Sequence, residues 1–321
     1  MGKRKLTQQQ ERRIALQHDH RLQHSLHLEA VEEGLVIVRH GAKAWVENEH
    51  KQWFLCALRQ NLDSPVAGDR VIFQRDSADT GVITAIHTRH TVIQRVDASQ
   101  NLKPLAANVD QCIIVIAEIP EPSMEIVDRY FVAATVLNLE AIIVCNKIDL
   151  PSEKSSALCK AYESIGYTVV RTSVLEQRGL ETLKGLLIDK TSIFVGQSGV
   201  GKSSLIQAFM PEENLAIGAV SEVVALGKHT TTSARLYHFK GGGDFIDSPG
   251  VRRFNLWPMT RADIFKGFVE FKPYKGRCKF RNCEHREEPG CALQEALKEG
   301  KICEERLNSF QHLVAMHARE S

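Results

Sequence analysis

The stretch from Gly196 to Ser204, GQSGVGKSS, constrains this chain more than any other. It follows the apolar run SIFV and opens the run KSSLIQAFM. A G-x-x-x-x-G-K-[ST] pattern between a strand and a helix turns successive backbone N–H groups, and the helix N-terminus, toward an anion. Strand–loop–helix units of this kind join parallel strands, so the chain must contain an α/β sheet with a phosphate cradle at the carboxyl end of one strand. The candidate cradle is Gly196, Gln197, Ser198, Gly199, Val200, Gly201, Lys202, Ser203 and Ser204. Lys202 can reach β- and γ-phosphates, and the Ser203 hydroxyl can ligate Mg²⁺.

The remaining strands of that sheet are legible as apolar runs ending in polar or glycine-rich turns: QCIIVIAEI, EAIIVCNKI, YTVVRTS and GDFIDSPG. Helical segments such as MEIVDRYFVAATVLN and LCKAYESIG lie between several of them, as in a doubly covered parallel sheet. Two further motifs sit at strand ends. Asp247, in DSPG, can hold the Mg²⁺ shell, and Gly250 can offer its N–H to a γ-phosphate. Asn146-Lys147-Ile148-Asp149 offers a carboxylate that accepts both the N1–H and the amino group of guanine, a donor pair adenine lacks. Asn146 can brace that loop, and the Lys147 stem can cover the base. Thr172 and Ser173, after TVVR, are the second candidate base-side loop. Together the motifs favour GTP over ATP.

The base reader precedes the cradle by fifty residues, from Asn146 to Gly196. A nucleotide site needs its loops adjacent in space, not in a fixed chain order. The termini of a compact domain lie close enough to be joined while the chain is cut elsewhere. The domain therefore reads as circularly permuted, with both motifs in one site.

Upstream, GLVIVRH, AKAWVEN, QWFLCAL, GDRVIFQ and GVITAIH are short β-forming runs separated by turns, the size and spacing of an OB-type β-barrel. Pattern alone leaves two readings open for it, RNA binding or packing against its neighbour. The first 25 residues carry six Lys and Arg against Glu11 and Asp19, an arm suited to a phosphate backbone or to solvent. Downstream, Cys278, Cys283, His285 and Cys291 form C-x₄-C-x-H-x₅-C, a closed structural set for one Zn²⁺. Lys272, Lys275, Arg277, Lys279, Arg281 and Arg286 surround it and suit RNA contact. A final helix is expected from about Leu293, with Cys303, Leu307, Phe310 and Val314 on one face. The other five cysteines, Cys56, Cys112, Cys145, Cys159 and Cys303, are scattered and expected to be buried free thiols.

The expected architecture is multidomain: a basic arm (1–30), an OB-fold barrel (31–98), a circularly permuted P-loop α/β GTPase domain (99–264) and a small zinc-binding α-rich domain (265–321). With 321 residues, 43% apolar and 25% charged, the chain is globular, and it has neither a membrane-length apolar run nor a secretory h-region. Cytoplasmic residence and no membrane association are the expectation.

In its motifs the chain resembles the permuted ribosome-assembly GTPases called RsgA or YjeQ. The resemblance rests on VAGDRV, NKID, GQSGVGKSS, GKHTTT, DSPGVR and the Cys/His knuckle ending EPGC, and covers nearly the whole chain. It implies an RNA-binding OB-fold, binding to the small ribosomal subunit and its rRNA, and GTP hydrolysis to GDP stimulated by that subunit in its late maturation. A monomer is expected. GKHTTT matches the family's switch segment, where any of Thr230, Thr231 and Thr232 can ligate Mg²⁺; Thr231 is taken as the candidate. Val251 stands where many GTPases carry a water-positioning Gln. His229 is the candidate replacement, with a structural or RNA-contacting role as its alternative. A nucleotide-switched rRNA-binding module with little turnover is the alternative function.

Overall fold

The structure, a computed structural model, describes residues 31–60, 62–96, 102–210, 234–247 and 259–317. The basic arm, the GKHTTT segment with His229 and Thr230–Thr232, and Ser248 to Val251 with Gly250 lie outside the described residues. By internal packing the chain divides into two units. The first comprises Met1–Gln94, Pro104–Asn108 and Thr232–Leu236; the second comprises Arg95–Lys103, Val109–Thr231 and Tyr237–Ser321.

The first unit is a closed five-stranded barrel. Strands β1 (Val31–His40), β2 (Lys43–Asn48), β3 (Trp53–Leu58), β4 (Arg70–Arg75) and β5 (Thr80–Ile86) follow the order β1-β2-β3-β5-β4, and β4 returns to β1. Only the β3–β5 pair is parallel, as the OB-type barrel read in the sequence requires. Ten-residue β1 closes the ring by pairing β4 through Val31–Leu35 and β2 from Gly34 onward, with a register shift between Val36 and Val38. Such an irregularity bends a strand and lets it serve two neighbours. Val36, Val46, Phe54, Val71, Phe73 and Ile83 fill the interior. Pro104–Asn108 joins this unit through the Ala67–Ala106 bridge and the Ala107 N–H to the Ala67 carbonyl. Val38 pairs with Arg235, the first residue of β12 (Arg235–His238).

The residues between barrel and sheet, with no pattern in the sequence to announce them, form the hairpin β6 (Val92–Val96) and β7 (Leu102–Ala107).

The second unit is built on β8 (Gln111–Ile116), β9 (Glu140–Asn146), β10 (Val169–Thr172), β11 (Thr191–Val195) and β13 (Asp244–Asp247), in the order β10-β9-β8-β11-β13. All four pairings are parallel. The crossovers carry α1 (Met124–Val136), α2 (Glu153–Ile165), α3 (Leu180–Leu187) and, after the cradle, α4 (Lys202–Phe209). Every residue of β8 is buried, because helices cover both faces. Ile113 and Val115 pack with Ile142, Val144 and Phe194 against Leu183 and Leu187 of α3 and Leu205 and Phe209 of α4. Ile114 and Ile116 line one small cavity together with Val127 and Tyr130 of α1.

The C-terminal part of this unit contains α5 (Arg261–Lys266), capped by the Thr260 hydroxyl on the Asp263 N–H, and a 3-10 helix over Val269–Tyr274. Two helices follow, α6 (Ala292–Lys298) and α7 (Glu304–His317). The single final helix expected from the sequence is thus interrupted, and Gly300 takes a left-handed φ of 68° where the chain turns. The turn also changes the buried face. Arg306, Leu307, Phe310 and Leu313 are buried, Val314 is half-buried, and Cys303 is exposed rather than buried. Phe268, Phe271 and Phe310 form the core there, with ring centroids 5.0–5.6 Å apart.

Candidate nucleotide site and metal centre

Asn146 ends β9, the Thr172–Ser173 loop ends β10 and Gly196 follows β11, so parallel pairing brings these loops to one edge of the sheet. Asn146 stitches them together. Its Nδ2 donates to the Val200 carbonyl at 3.0 Å, and its Oδ1 accepts the Thr172 hydroxyl at 3.0 Å. These atoms fit the bracing part that the sequence suggests for Asn146.

Thr172 and Ser173 are fully buried. The Ser173 hydroxyl donates to Asp149 Oδ1 at 2.5 Å and accepts the Glu176 N–H. A reciprocal backbone pair between Ser173 and Arg178 closes the loop. Asp149 is thereby held by one oxygen, which orients its carboxylate. Ile148 serves through its backbone, its N–H donating to the Thr172 carbonyl. Lys147, at φ 62°, lays its stem across the loops and donates from Nζ to the Gly199 carbonyl at 2.6 Å.

The cradle takes its shape from glycine. Gly196 has φ 134°, and a Cβ there would lie 2.2 Å from the Val115 carbonyl oxygen. At Gly201, φ 93°, a Cβ would lie 2.3 Å from Asn146 Nδ2. Any side chain at Gly201 would therefore displace the group that ties base loop to cradle. Lys202 Nζ donates to the Gly196 and Gln197 carbonyls at 2.8 and 2.5 Å. Ser203 and Ser204 stand exposed at the start of α4, with Ser198 and Gly199 exposed before them. The first turn of α4 carries no acidic residue, so no side chain of that turn opposes an anion at its positive end.

Asp247 is the last residue of β13. Thr191 pairs with Asp244, so three residues on Asp247 comes level with Phe194, near where β11 delivers the cradle. A hydroxyl on Ser203 and a carboxylate on Asp247 are the hard oxygen donors Mg²⁺ takes.

One contributor has no motif in the sequence. Glu118, two residues past β8, accepts the Lys154 and Ser155 N–H groups at 3.2 and 2.8 Å and caps α2, whose own Ser152 makes no side-chain cap. The Ser155 amide chiefly holds its carboxyl below the usual range. Its position at the carboxyl end of a central strand is the signal that could have found it.

The four predicted metal ligands converge. The Cys278, Cys283 and Cys291 sulfurs lie 3.5, 3.7 and 3.4 Å from His285 Nδ1, and all four donor atoms lie within 4.8 Å of one another. Ligands on a tetrahedron with Zn–S and Zn–N bonds of about 2.3 and 2.0 Å would stand about 3.6 Å apart. The donor set and its spacing therefore fit a metal ion of this kind. Burial, then Arg261, lowers the His285 pKa, favouring the neutral, ligating imidazole. The surrounding helices hold the knuckle: the Ala292 N–H of α6 donates to Cys278 Sγ, and Gln294 and Gln311 both donate to the His285 carbonyl. Lys272, Lys275, Arg277, Lys279, Arg281 and Arg286 are all exposed around it, beside exposed Phe280.

A family model described as RsgA GTPase matches residues 86–257. The small ribosomal subunit biogenesis GTPase RsgA of Photorhabdus laumondii is 43% identical over 334 residues, spanning 98% of this chain and 95% of that protein. Its namesake from Proteus mirabilis is 43% identical over 336 residues, spanning 98% and 96%. Among solved structures, YjeQ from Thermotoga maritima superposes with a TM-score of 0.73 at 33% identity, covering 89% of this chain and 98% of that one. YloQ, a circularly permuted GTPase, gives 0.70 at 26% identity, covering 90% and 96%. No helix among the described residues is long and apolar enough to cross a membrane.

Proposed function

The chain belongs to the RsgA GTPase family and is a GTP-hydrolysing enzyme, and from that premise we propose that it binds the small ribosomal subunit and assists its late maturation. The observation that supports the reading is the double engagement of Asn146, whose amide joins the candidate base loop to the candidate cradle despite their reversed order in the chain.

In this reading Asp149 accepts the guanine N1–H and amino group, oriented by Ser173. The stem of Lys147 covers the base, and Ile148 and Thr172 hold the loop. Backbone N–H groups from Gly196 to Ser204 and the Lys202 ammonium take the phosphates, with Gly250 at the γ-phosphate. Ser203, Asp247 and Thr231 are the residues to hold Mg²⁺, which when bound offsets charge on the phosphate oxygens. His229 positions the attacking water, a task for which the Val251 side chain has no polar atom. Cys278, Cys283, His285 and Cys291 hold one structural Zn²⁺. The barrel, the basic arm and the exposed cations around the knuckle dock on rRNA, and the chain works as a monomer in the cytoplasm.

The test is GTP turnover by the full chain with and without purified small subunits. Slow turnover alone, accelerated by subunits and losing the acceleration at raised salt, is expected. Unstimulated turnover with normal subunit binding would instead support a nucleotide-switched rRNA-binding module.

A further inference from the structure

We propose that Glu118 is a positioning residue for the guanine base, tying the loop that carries Lys147 and Asp149 to the end of strand β8. The inference rests on the reading of Asn146 to Asp149 as the base loop.

The first amides of a helix need acceptors, which its own N-cap side chain commonly supplies. In α2 Ser152 holds that place but makes no side-chain cap. Glu118 supplies the acceptors from another strand: its Oε1 takes the Lys154 N–H at 3.2 Å and its Oε2 the Ser155 N–H at 2.8 Å. Each carboxylate oxygen thus holds one amide at the positive end of a 13-residue helix, where a negative charge is favoured. Ser155 is 1% exposed, so solvent does not stand in for the acceptor. Lys154 Nζ also pairs with Glu121 Oε1 at 2.7 Å, but both side chains are exposed and this tie adds little.

The residues after Glu118 meet the other end of the base loop and the cradle. Lys147 Nζ, which donates to the Gly199 carbonyl at 2.6 Å, also reaches the Ile119 carbonyl at 3.4 Å. Pro120 Cδ lies 3.6 Å from where a Gly199 Cβ would stand. Glu118, Ile119 and Pro120 therefore touch α2, Lys147 and the surroundings of Gly199 in turn. A cap from within α2 would satisfy the same amides without setting the helix in register with β8. That register reaches Asp149, because only Leu150, Pro151 and Ser152 separate it from α2. The connection has little slack: the Leu150 N–H closes a turn on the Lys147 carbonyl at 3.0 Å, and proline fixes its own φ. Ser173 pins one Asp149 oxygen at 2.5 Å, and the backbone beneath decides where the other points. Guanine needs both acceptor directions at once, one for N1–H and one for the amino group.

The test titrates the full chain with guanosine diphosphate and inosine diphosphate. Inosine keeps the N1–H and lacks the amino group, so the ratio of the two affinities reads the fit of Asp149. Glu118→Ala should weaken guanosine diphosphate by about three- to thirty-fold, the weight of a lost helix cap, and narrow its preference over inosine diphosphate. Glu118→Gln keeps one acceptor and should fall between wild type and Glu118→Ala on both counts. Equal weakening of the two nucleotides would show a general loosening and overturn the positioning role. Unchanged affinity and preference would overturn it too. Should Glu118→Ala give no soluble protein, Glu118→Gln is read against the same outcomes. A wild-type chain that bound no guanine nucleotide, or bound both nucleotides alike, would overturn the base-loop reading instead.

Discussion

Asn146 Nδ2 lies 3.0 Å from the carbonyl oxygen of Val200, fifty-four residues further along the chain. Both residues are buried. Asn146→Ala leaves that carbonyl and the Thr172 hydroxyl without their partner. GTP affinity should fall by about ten- to a hundred-fold through base and phosphate contacts together. Titration of wild type and variant with GTP and GDP checks this; equal affinities would mean the two loops are not coupled.

Asp149 is predicted to carry the choice of base. Asp149→Asn replaces one acceptor oxygen by a donor and should cost roughly 3 kcal/mol or more of GTP binding, with discrimination against ATP lost alongside. Competition between the two nucleotides measures it. Unchanged preference would remove Asp149 from the base site.

The knuckle should carry one zinc per chain, and Cys283→Ser should release it and unfold the surrounding tail, since structural metal binding is largely folding free energy. GTP should still bind, because the cradle and base loops are built on the sheet. Metal analysis and limited proteolysis read the two halves of this expectation. Protein purified without chelators and found free of zinc would refute it.

In the barrel, Arg89 donates to both oxygens of Asp69 at 2.7 Å, and the Asp69 side chain is 0% exposed. Burial pushes the Asp69 carboxyl up, and Arg89 opposes the shift. Arg89→Met should destabilise the barrel by about 3–5 kcal/mol, the range for stranding a buried charge. The sign with pH follows. Asp69 rises further without Arg89, so the deficit is full at neutral pH. It shrinks as pH falls and Asp69 becomes protonated in both proteins. Urea titrations at several pH values, followed by tryptophan fluorescence, test it; a deficit that grows on acidification would exclude the charge as its cause.

His229→Ala should keep GTP and subunit binding yet lose most of the stimulated turnover, by about 10²–10⁴, the usual weight of a positioned general base. A variant with normal turnover on the subunit would assign the water to a group outside this side chain.

Much of the molecule is legible in its residues alone. Runs such as QCIIVI and EAIIVC announce buried parallel strands because both faces need apolar residues, and the polar turns that end them carry the chemistry. Closure of the barrel is legible only as spacing, since no residue in β1 announces a strand shared by β2 and β4. Other features leave no local signal. VIQRV and LKPLAA mix charge and proline, and they pair as a hairpin for reasons of context. Arg306 looks like one more charged helix residue; its buried partner Asp128 lies 178 positions earlier. Apolar periodicity runs through Gly300 as if the last helix were continuous, because spacing alone does not register a left-handed turn. Glu118 is marked only by its place at the end of the QCIIVIAEI run, because capping of a helix by a residue from another element has no fixed spacing.

The division of the chain into units has a consequence for modularity. The polypeptide passes between the two units five times, and the barrel owns Pro104–Asn108 and Thr232–Leu236 as well as its main stretch. Removing the barrel at one cleavage point would strip Ala67 of its bridge to Ala106 and Val38 of its partner Arg235. The barrel is therefore no cassette to be shed or exchanged by a single recombination event.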